Sequence, residues 1–367
     1  MKIGIDARLS GAKHAGIGRY TQNLIKELLK ENKKNFYVCF FHDQAQADEV
    51  LGEYAKDKKV KIVITPVRHY SFAEQKKLPK LFALENLDLL HVPHFNIPIF
   101  YKGKIIITIH DLLWHEYKGG SVTTLNPVVY TLKYLFYRLV TRIAVHKAEK
   151  ILVPAQTIKN TVIRFYPKTK EKIIITKEGA QIADLSKQPP LPKLKNTFLY
   201  VGSLYPHKNL NLVLQSLSSL PKYKLLLAGS RNVFQDRVKS YIKYKHIEDQ
   251  VEFLGYVDDA QLAKLYQQVT ALVQPSHSEG FGLTGVEAMS FGTSVLASDI
   301  PIFKEIYQNA AFYFSPHSTA SFIQAVHALE MNTDTINTEG IALAKTYSWK
   351  KMAQETLDAY QEILKNK

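Results

Sequence analysis

Residues 271–299 read ALVQPSHSEGFGLTGVEAMSFGTSVLASD. Two apolar runs, ALVQ and SVLAS, enclose a glycine-bearing segment and the apolar-periodic stretch GVEAMSF, so the order is strand, loop, helix, strand. Neither run alternates apolar with polar residues, which is the pattern of strands covered on both faces of a parallel sheet. The rhythm extends in both directions. Before residue 180 the runs are KIGIDAR, FYVCFF, VKIVITPV, LLHVPH, KIIITIHD, KILVPA and KIIITKEG, with helical patterns between them; later come TFLYVGSL, YKLLLAGS, VEFLGYV, ALVQPS, SVLASD and AAFYFSP. Between the two series, DLSKQPPLPKLKN carries Pro189, Pro190 and Pro192, which oppose both helix and sheet pairing. The expected class is α/β: a Rossmann-like doubly wound domain over 1–183, a linker over 184–196, a second such domain over 197–345 and a closing helix over 346–367. That last helix has apolar positions at Met352, Leu357, Tyr360 and Ile363 or Leu364.

A chain of 367 residues is longer than one core usually supports. With 46% hydrophobic and 22% charged residues, its composition is that of globular proteins and excludes disordered and collagen-like classes. The start, MKIGIDARLS, has no apolar stretch behind a basic segment, and no window approaches a membrane span, so a cytoplasmic protein is expected. Cys39 stands alone inside FYVCFF, which leaves no disulfide framework or thiolate metal site and predicts a core thiol. Residues 1–185 hold 30 Lys and Arg against 17 Asp and Glu, whereas 186–367 hold 18 against 16, so of the net +15 the first part carries +13 and the second +2. Such a basic half suits an anionic membrane surface or a nucleic acid.

In open α/β sheets, ligands bind beyond the carboxyl ends of the strands, which puts HSEGFGL (277–283) at a binding position. Gly280 and Gly282 permit close backbone approach, and the amides and dipole of the helix start favour a phosphate, so a diphosphate fits the loop through Gly280, Phe281, Gly282 and Leu283. Glu287, one turn into the helix, is suited to two vicinal hydroxyls of a ribose, and Glu279 to another polyol.

EGFGLTGVEAMSFGTSVLASD resembles the signature of the retaining GT-B glycosyltransferases of family 4, in which two glutamates eight positions apart frame this loop. The resemblance implies a GT-B fold: two Rossmann-like doubly wound parallel-sheet domains facing across a cleft, with the C-terminal helix returning to the N-terminal domain. It implies that Glu279 and the loop amides contact the donor sugar and diphosphate, and that Glu287 holds the nucleotide ribose. YVGSLYPHKNLNLVLQSL (200–217) is similar to the family's strand, loop and helix carrying a phosphate-binding lysine, which falls on Lys208. Many members place an arginine a few residues earlier, where this chain has Ser203; Arg231 is a substitute by position alone. TIHDLLWHE (108–116) resembles the family's His-Asp at the end of an inner strand, which implies His110 beside the transferred sugar. Asp111 either touches the acceptor or caps the loop.

AGIGRYTQNLIKEL (15–28) invites a dinucleotide reading, since Gly16 and Gly18 follow a strand and Asp43 ends the next one. Thr21 at the third small position and the length of the preceding loop oppose it. The resemblance instead implies a flexible glycine loop near the donor, with Arg19 available to the acceptor or the phosphate. NPVVYTLKYLFYRLVTRIAVHKAEK (126–150) plots as a helix with Val128, Leu132, Leu135, Leu139 and Ile143 on one face, the expected core face. Around it Tyr130, Tyr134, Tyr137, Lys133, Arg138, Arg142 and Lys147 make a mixture suited to a membrane interface.

The family reading implies transfer of a hexose from a GDP- or UDP-linked donor to an acceptor hydroxyl, with retention, on a glycan or lipid-linked acceptor. His110, Lys208 and Glu279 are the expected catalytic set. No cofactor and no metal is expected: GT-B members generally work without a divalent ion, and the chain has neither an Asp-x-Asp motif nor a His-x-x-x-His pair. Expected partners are the nucleotide sugar, the acceptor and an anionic membrane touched peripherally by the basic half. A nucleotide-sugar epimerase of the same fold would not need a basic acceptor domain, and a nucleic-acid-binding protein would leave the EGFGL loop without a role.

Overall fold

The computed structural model describes residues 1–31, 34–119, 123, 126–180, 191–229, 233–332 and 336–365. The chain packs as two units: Met1–His115, Asn126–Gly179 and Ser348–Lys367 form one, and Glu116–Leu125 with Ala180–Tyr347 the other.

The first unit holds seven strands, β1 (Lys2–Asp6), β2 (Phe36–Phe41), β3 (Val60–Ile64), β4 (Leu89–Val92), β5 (Ile105–Thr108), β6 (Lys150–Val153) and β7 (Ile173–Ile175). All pair in parallel in the order β3-β2-β1-β4-β5-β6-β7, with Ile5 of β1 between Cys39 and His91. The apolar runs of β1, β2, β4, β5 and β6 are buried as expected, whereas the edge strands β3 and β7 are only partly covered and Ile64 is exposed. Burial pushes the Cys39 thiol up to about 12, which leaves it an inert core group. The closing helix, Trp349–Lys365, packs on this unit against the helix Ala15–Glu31 and buries Met352, Leu357, Tyr360 and Ile363. His91 ties it down, its Nδ1 lying 2.6 Å from the Tyr360 hydroxyl and its Nε2 2.9 Å from Thr108 Oγ1.

The second unit holds β8 (Leu194–Val201), β9 (Lys224–Ala228), β10 (Val251–Gly255), β11 (Val269–Gln274), β12 (Ser294–Ser298) and β13 (Phe312–Phe314). They too are all parallel, in the order β10-β9-β8-β11-β12-β13. Each unit therefore has the 3-2-1-4-5 strand order of a doubly wound sheet, with its switch point between the first and fourth strands.

Three expectations change. Gly16 and Gly18 do not form a flexible loop: after a tight turn at Ala12–His14 the helix runs Ala15–Glu31, and both glycines lie in its first turn. Gly18 is glycine for packing, because a Cβ there would collide with the carbonyl of Gly11. Asp43, whose place after β2 invited the rejected dinucleotide reading, accepts from the Gln46 amide and caps the helix Gln44–Leu51. The strand expected from 197 begins at Leu194, which pairs with Val269, so the last residues assigned to the linker are sheet; residues 184–190 lie outside the described residues.

The third change is on the helix Pro127–Lys147. Of the expected core face, Val128, Leu132, Leu135 and Leu139 are exposed at 69%, 65%, 59% and 52%, and Ile143 is half-buried. The side buried in the unit carries Tyr137, Val140, Thr141, Ala144 and Val145. The buried side thus combines one tyrosine with small and β-branched side chains, and the leucines are left outside.

Candidate active site

In the second unit, the loop after β11 leads into the helix Leu283–Ser290, which starts earlier than GVEAMSF suggested. Gly282 is its N-cap residue at φ +94, a left-handed conformation that costs a non-glycine residue energy. Tyr307 fixes that turn: its hydroxyl donates to the Gly282 carbonyl at 2.7 Å and contacts Gln274 Oε1, and Gln274 Nε2 donates to Thr284 Oγ1 at 2.7 Å. A Cβ on Gly282 or on Gly285 would strike the same hydroxyl. The glycines thus owe their presence to Tyr307 as well as to any ligand. Phe281 is buried edge-on against Tyr347, which anchors the middle of the loop, while Gly280 and Leu283 are half-buried beside it.

Lys208 comes from the turn Pro206–Lys208 after β8, which ends in a left-handed Asn209. Its Nζ donates to Glu279 Oε1 at 2.7 Å, and Ser276 Oγ donates to the same oxygen at 2.8 Å. Glu279 and Lys208, 71 residues apart in the chain, are therefore neighbours, each still partly exposed. Glu287 is 4% exposed in the helix that follows the loop. Ser203 is half-buried at the end of β8, and its carbonyl accepts from the Tyr200 hydroxyl. Arg231 lies outside the described residues. At the carboxyl ends of β8, β9 and β10, Gly202, Gly229, Leu204, Leu227, Phe253 and Gln235 line a small pocket open to solvent.

In the first unit, His110 follows β5, and its Nδ1 lies 2.8 Å from Glu178 Oε1 beyond β7. Both side chains are buried, and the ring is packed edge-on by Tyr20 at 4.6 Å. Asp111 takes the capping alternative, its Oδ1 accepting from the Leu113 amide at 3.0 Å. Arg19 is half-buried in the first turn of its helix. The sequence reading missed Glu178. It also missed a buried network past β1 and β4: Arg8 donates to Asp6 at 2.6 and 2.8 Å and to Glu74 Oε1 at 2.8 Å, and Asn96 Nδ2 donates to Glu74 Oε2 at 2.8 Å. Burial pushes Asp6 and Glu74 up, but Arg8 in both cases, with His69 and Asn96 beside Glu74, outweighs it and holds both acids below the ordinary carboxylate range. His69 Nδ1 is 3.4 Å from Glu74 Oε1 yet off the hydrogen-bonding direction, so both ring nitrogens lack a hydrogen-bond partner among the described residues. The only sequence signal for these groups was charge at the carboxyl end of a buried strand, in IDAR and ITKEG.

The model of Glycosyltransferase Family 4 matches residues 14–180, and that of glycosyl transferases group 1 matches residues 181–339. The chain belongs to the group 1, GT-B glycosyltransferases. It is 26% identical to an O-antigen chain mannosyltransferase B of Escherichia coli over 94% of this chain and 96% of that one. It is 22% identical to a GDP-mannose:cellobiosyl-diphosphopolyprenol alpha-mannosyltransferase of Xanthomonas oryzae, over 82% of this chain and 81% of the other. Sucrose-phosphate synthase of Thermosynechococcus elongatus superposes with a TM-score of 0.76 at 16% identity, covering the whole of both chains, a likeness of fold.

The transferase acts on a nucleotide sugar. Its structure brings Lys208, Glu279 and the glycine loop together in one unit, and His110, Asp111 and Arg19 belong to the other. Gly16 and Gly18, now helical, lose the flexible-loop role. Among the described residues, no three His, Cys, Asp or Glu side chains gather in a way that would hold a metal ion, and no helix is long and apolar enough to cross a membrane.

Proposed function

We propose that this transferase moves a mannosyl residue from GDP-mannose, with retention of configuration, to a hydroxyl of a lipid-linked glycan. The observation that carries the reading is the pairing of Lys208 with Glu279 at the glycine loop before the helix Leu283–Ser290. A diphosphate arriving at that loop would meet the helix amides and take Lys208 from Glu279, freeing the carboxylate for sugar hydroxyls. Glu287 would hold the ribose, and the base would lie toward the open pocket at the ends of β8–β10. Mannose, the guanine nucleotide and the lipid-linked acceptor are supported by what the two relatives are named for.

As the glycosidic bond breaks, the diphosphate gains charge, and Lys208 with the amides of Gly280–Leu283 would stabilise it without a metal ion. The leaving oxygen would take the acceptor's proton on the face it departs from, which retains configuration. Glu279 and Glu287 would then orient substrate; neither would act as a nucleophile. The acceptor's lipid would bring the first unit to an anionic bilayer, for which the exposed leucines and the basic residues of the helix Pro127–Lys147 are suited.

Calorimetry and thermal shifts with GDP, UDP, ADP and their sugar conjugates, with EDTA or with magnesium, test the donor. At 100 times its dissociation constant the right nucleotide raises stability by about 2.7 kcal/mol. GDP and GDP-mannose should shift the wild type with EDTA present, and Glu287→Ala should lose the shift. A response to UDP alone overturns the guanine assignment, and a response that needs magnesium overturns the metal-free one.

A further inference from the structure

Glu178 has no part in the reading above. A carboxylate only accepts hydrogen bonds, so at 2.8 Å the His110 Nδ1–H must be the donor. In the neutral ring, that leaves Nε2 with a bare lone pair. Nε2 is itself buried and has no hydrogen-bond partner among the described residues. An unsatisfied buried acceptor costs about 1–3 kcal/mol, a cost that persists in a protein mainly where a ligand recovers it.

The dyad is also held firmly. Tyr20 packs edge-on against the ring, and Trp349 packs against Tyr20. Trp349 further presses on Gly179, where a Cβ would collide with the Trp349 backbone, so the residue after Glu178 is wedged against the start of the closing helix. Three separate parts of the first unit thus converge on one imidazole whose neutral form presents a bare Nε2. The side chain is 9% exposed, which suits one small donor group.

We propose that Glu178 is a positioning residue that locks His110 as the Nδ1–H tautomer, so that the bare Nε2 accepts a hydrogen bond from a single hydroxyl of the sugar substrate. The carboxylate opposite also favours any positive charge that the ring senses from the reacting carbon. The inference rests on the glycosyl-transfer reading for its substrate; the tautomer itself does not.

The test has one arm for each part. Nitrogen-15 spectra of the full-length protein labelled in histidine should show His110 with a protonated Nδ1 and a bare Nε2, and Glu178→Leu should lose that signature. In turnover with GDP-mannose, Glu178→Leu should lower kcat about 10²-fold while the donor dissociation constant measured by calorimetry stays within twofold. His110→Ala should reach the same floor, and the double variant should fall no further, as for residues that act as a unit. Glu178→Gln preserves the shape if Glu178→Leu does not fold, and its amide admits the other tautomer, so the spectral arm and a smaller loss in kcat remain readable. A protonated Nε2 in the wild type overturns the proposal, as does a Glu178 variant with unchanged kcat or a multiplicative double variant. Failure of GDP-mannose to bind at all sinks the donor assignment and leaves the spectral arm standing.

Discussion

Gly16 and Gly18 stand two residues apart in the first turn of one helix, yet a methyl group would meet opposite surroundings at the two. Nothing lies within 4 Å of the place a Cβ would take on Gly16, so Gly16→Ala exchanges a residue with much backbone entropy to lose for the best helix former. The expected outcome is a gain of about 0.5 kcal/mol with turnover unchanged. At Gly18 the carbonyl of Gly11 occupies that place, and the Gly11 amide donates to the Gly18 carbonyl at 3.3 Å, so the two glycines brace one turn. Gly18→Ala forces that turn apart and should cost about 1–3 kcal/mol. Thermal melts and turnover rates on both variants check the pair. A Gly16→Ala enzyme that loses activity at an unchanged melting temperature would restore the flexible-loop role that the sequence suggested.

The helix Pro127–Lys147 shows what periodicity settles and what it leaves open. Its pattern established the helix, but the chain carries apolar residues on two stripes, Val128-Leu132-Leu135-Leu139 and Tyr137-Val140-Thr141-Ala144-Val145. Hydrophobicity alone selects the leucines; packing against the unit buried the other stripe, where Tyr137 fits among Val140, Thr141, Ala144 and Val145. Which stripe is buried depends on partners distant in sequence, and no local count supplies them. The leucines left outside, with Lys133 and Arg142 exposed nearby, are the basis of the membrane reading. Burying one leucine is worth about 1.5–3 kcal/mol, so Leu132→Glu with Leu135→Glu should weaken sedimentation with phosphatidylglycerol vesicles tenfold or more, about as much as high salt does. Turnover on a short, lipid-free acceptor should not change. Equal sedimentation of wild type and double variant would remove this helix from the contact, and no sedimentation of the wild type would remove the contact itself.

At the scale of the molecule, what the sequence made legible was what lies contiguous in it. The strand runs set two parallel sheets in advance, and the EGFGL loop with its two glutamates could be read because all its parts fall within one turn and one helix. The His110–Glu178 pair, 68 residues apart, and the Asp6-Arg8-Glu74 network exist only because the parallel sheet brings several strand ends to one edge. The same edge and its surroundings bury histidines, with a consequence for the whole fold. Burial lowers His91, His94 and His115 to about 3, all three in the first unit. An unfolded histidine titrates near 6.5, so between those values the unfolded chain binds more protons than the folded one, and stability rises with pH. The contribution is full above about pH 6.5 and is lost as pH falls toward 3, each histidine adding a slope of up to about 1.4 kcal/mol per pH unit. Asp6 and Glu74, held low in the fold, add their own loss once pH drops below the ordinary carboxylate range near 4. In the second unit His277 is lowered too, by burial and by His317. Native-state hydrogen exchange between pH 7.5 and 4.5, corrected for intrinsic rates, should therefore show protection falling steeply in β1, β4 and β5 while β8, β11 and β12 change little. Parallel losses in both sheets would mean that the buried histidines do not set the acid limit of this enzyme.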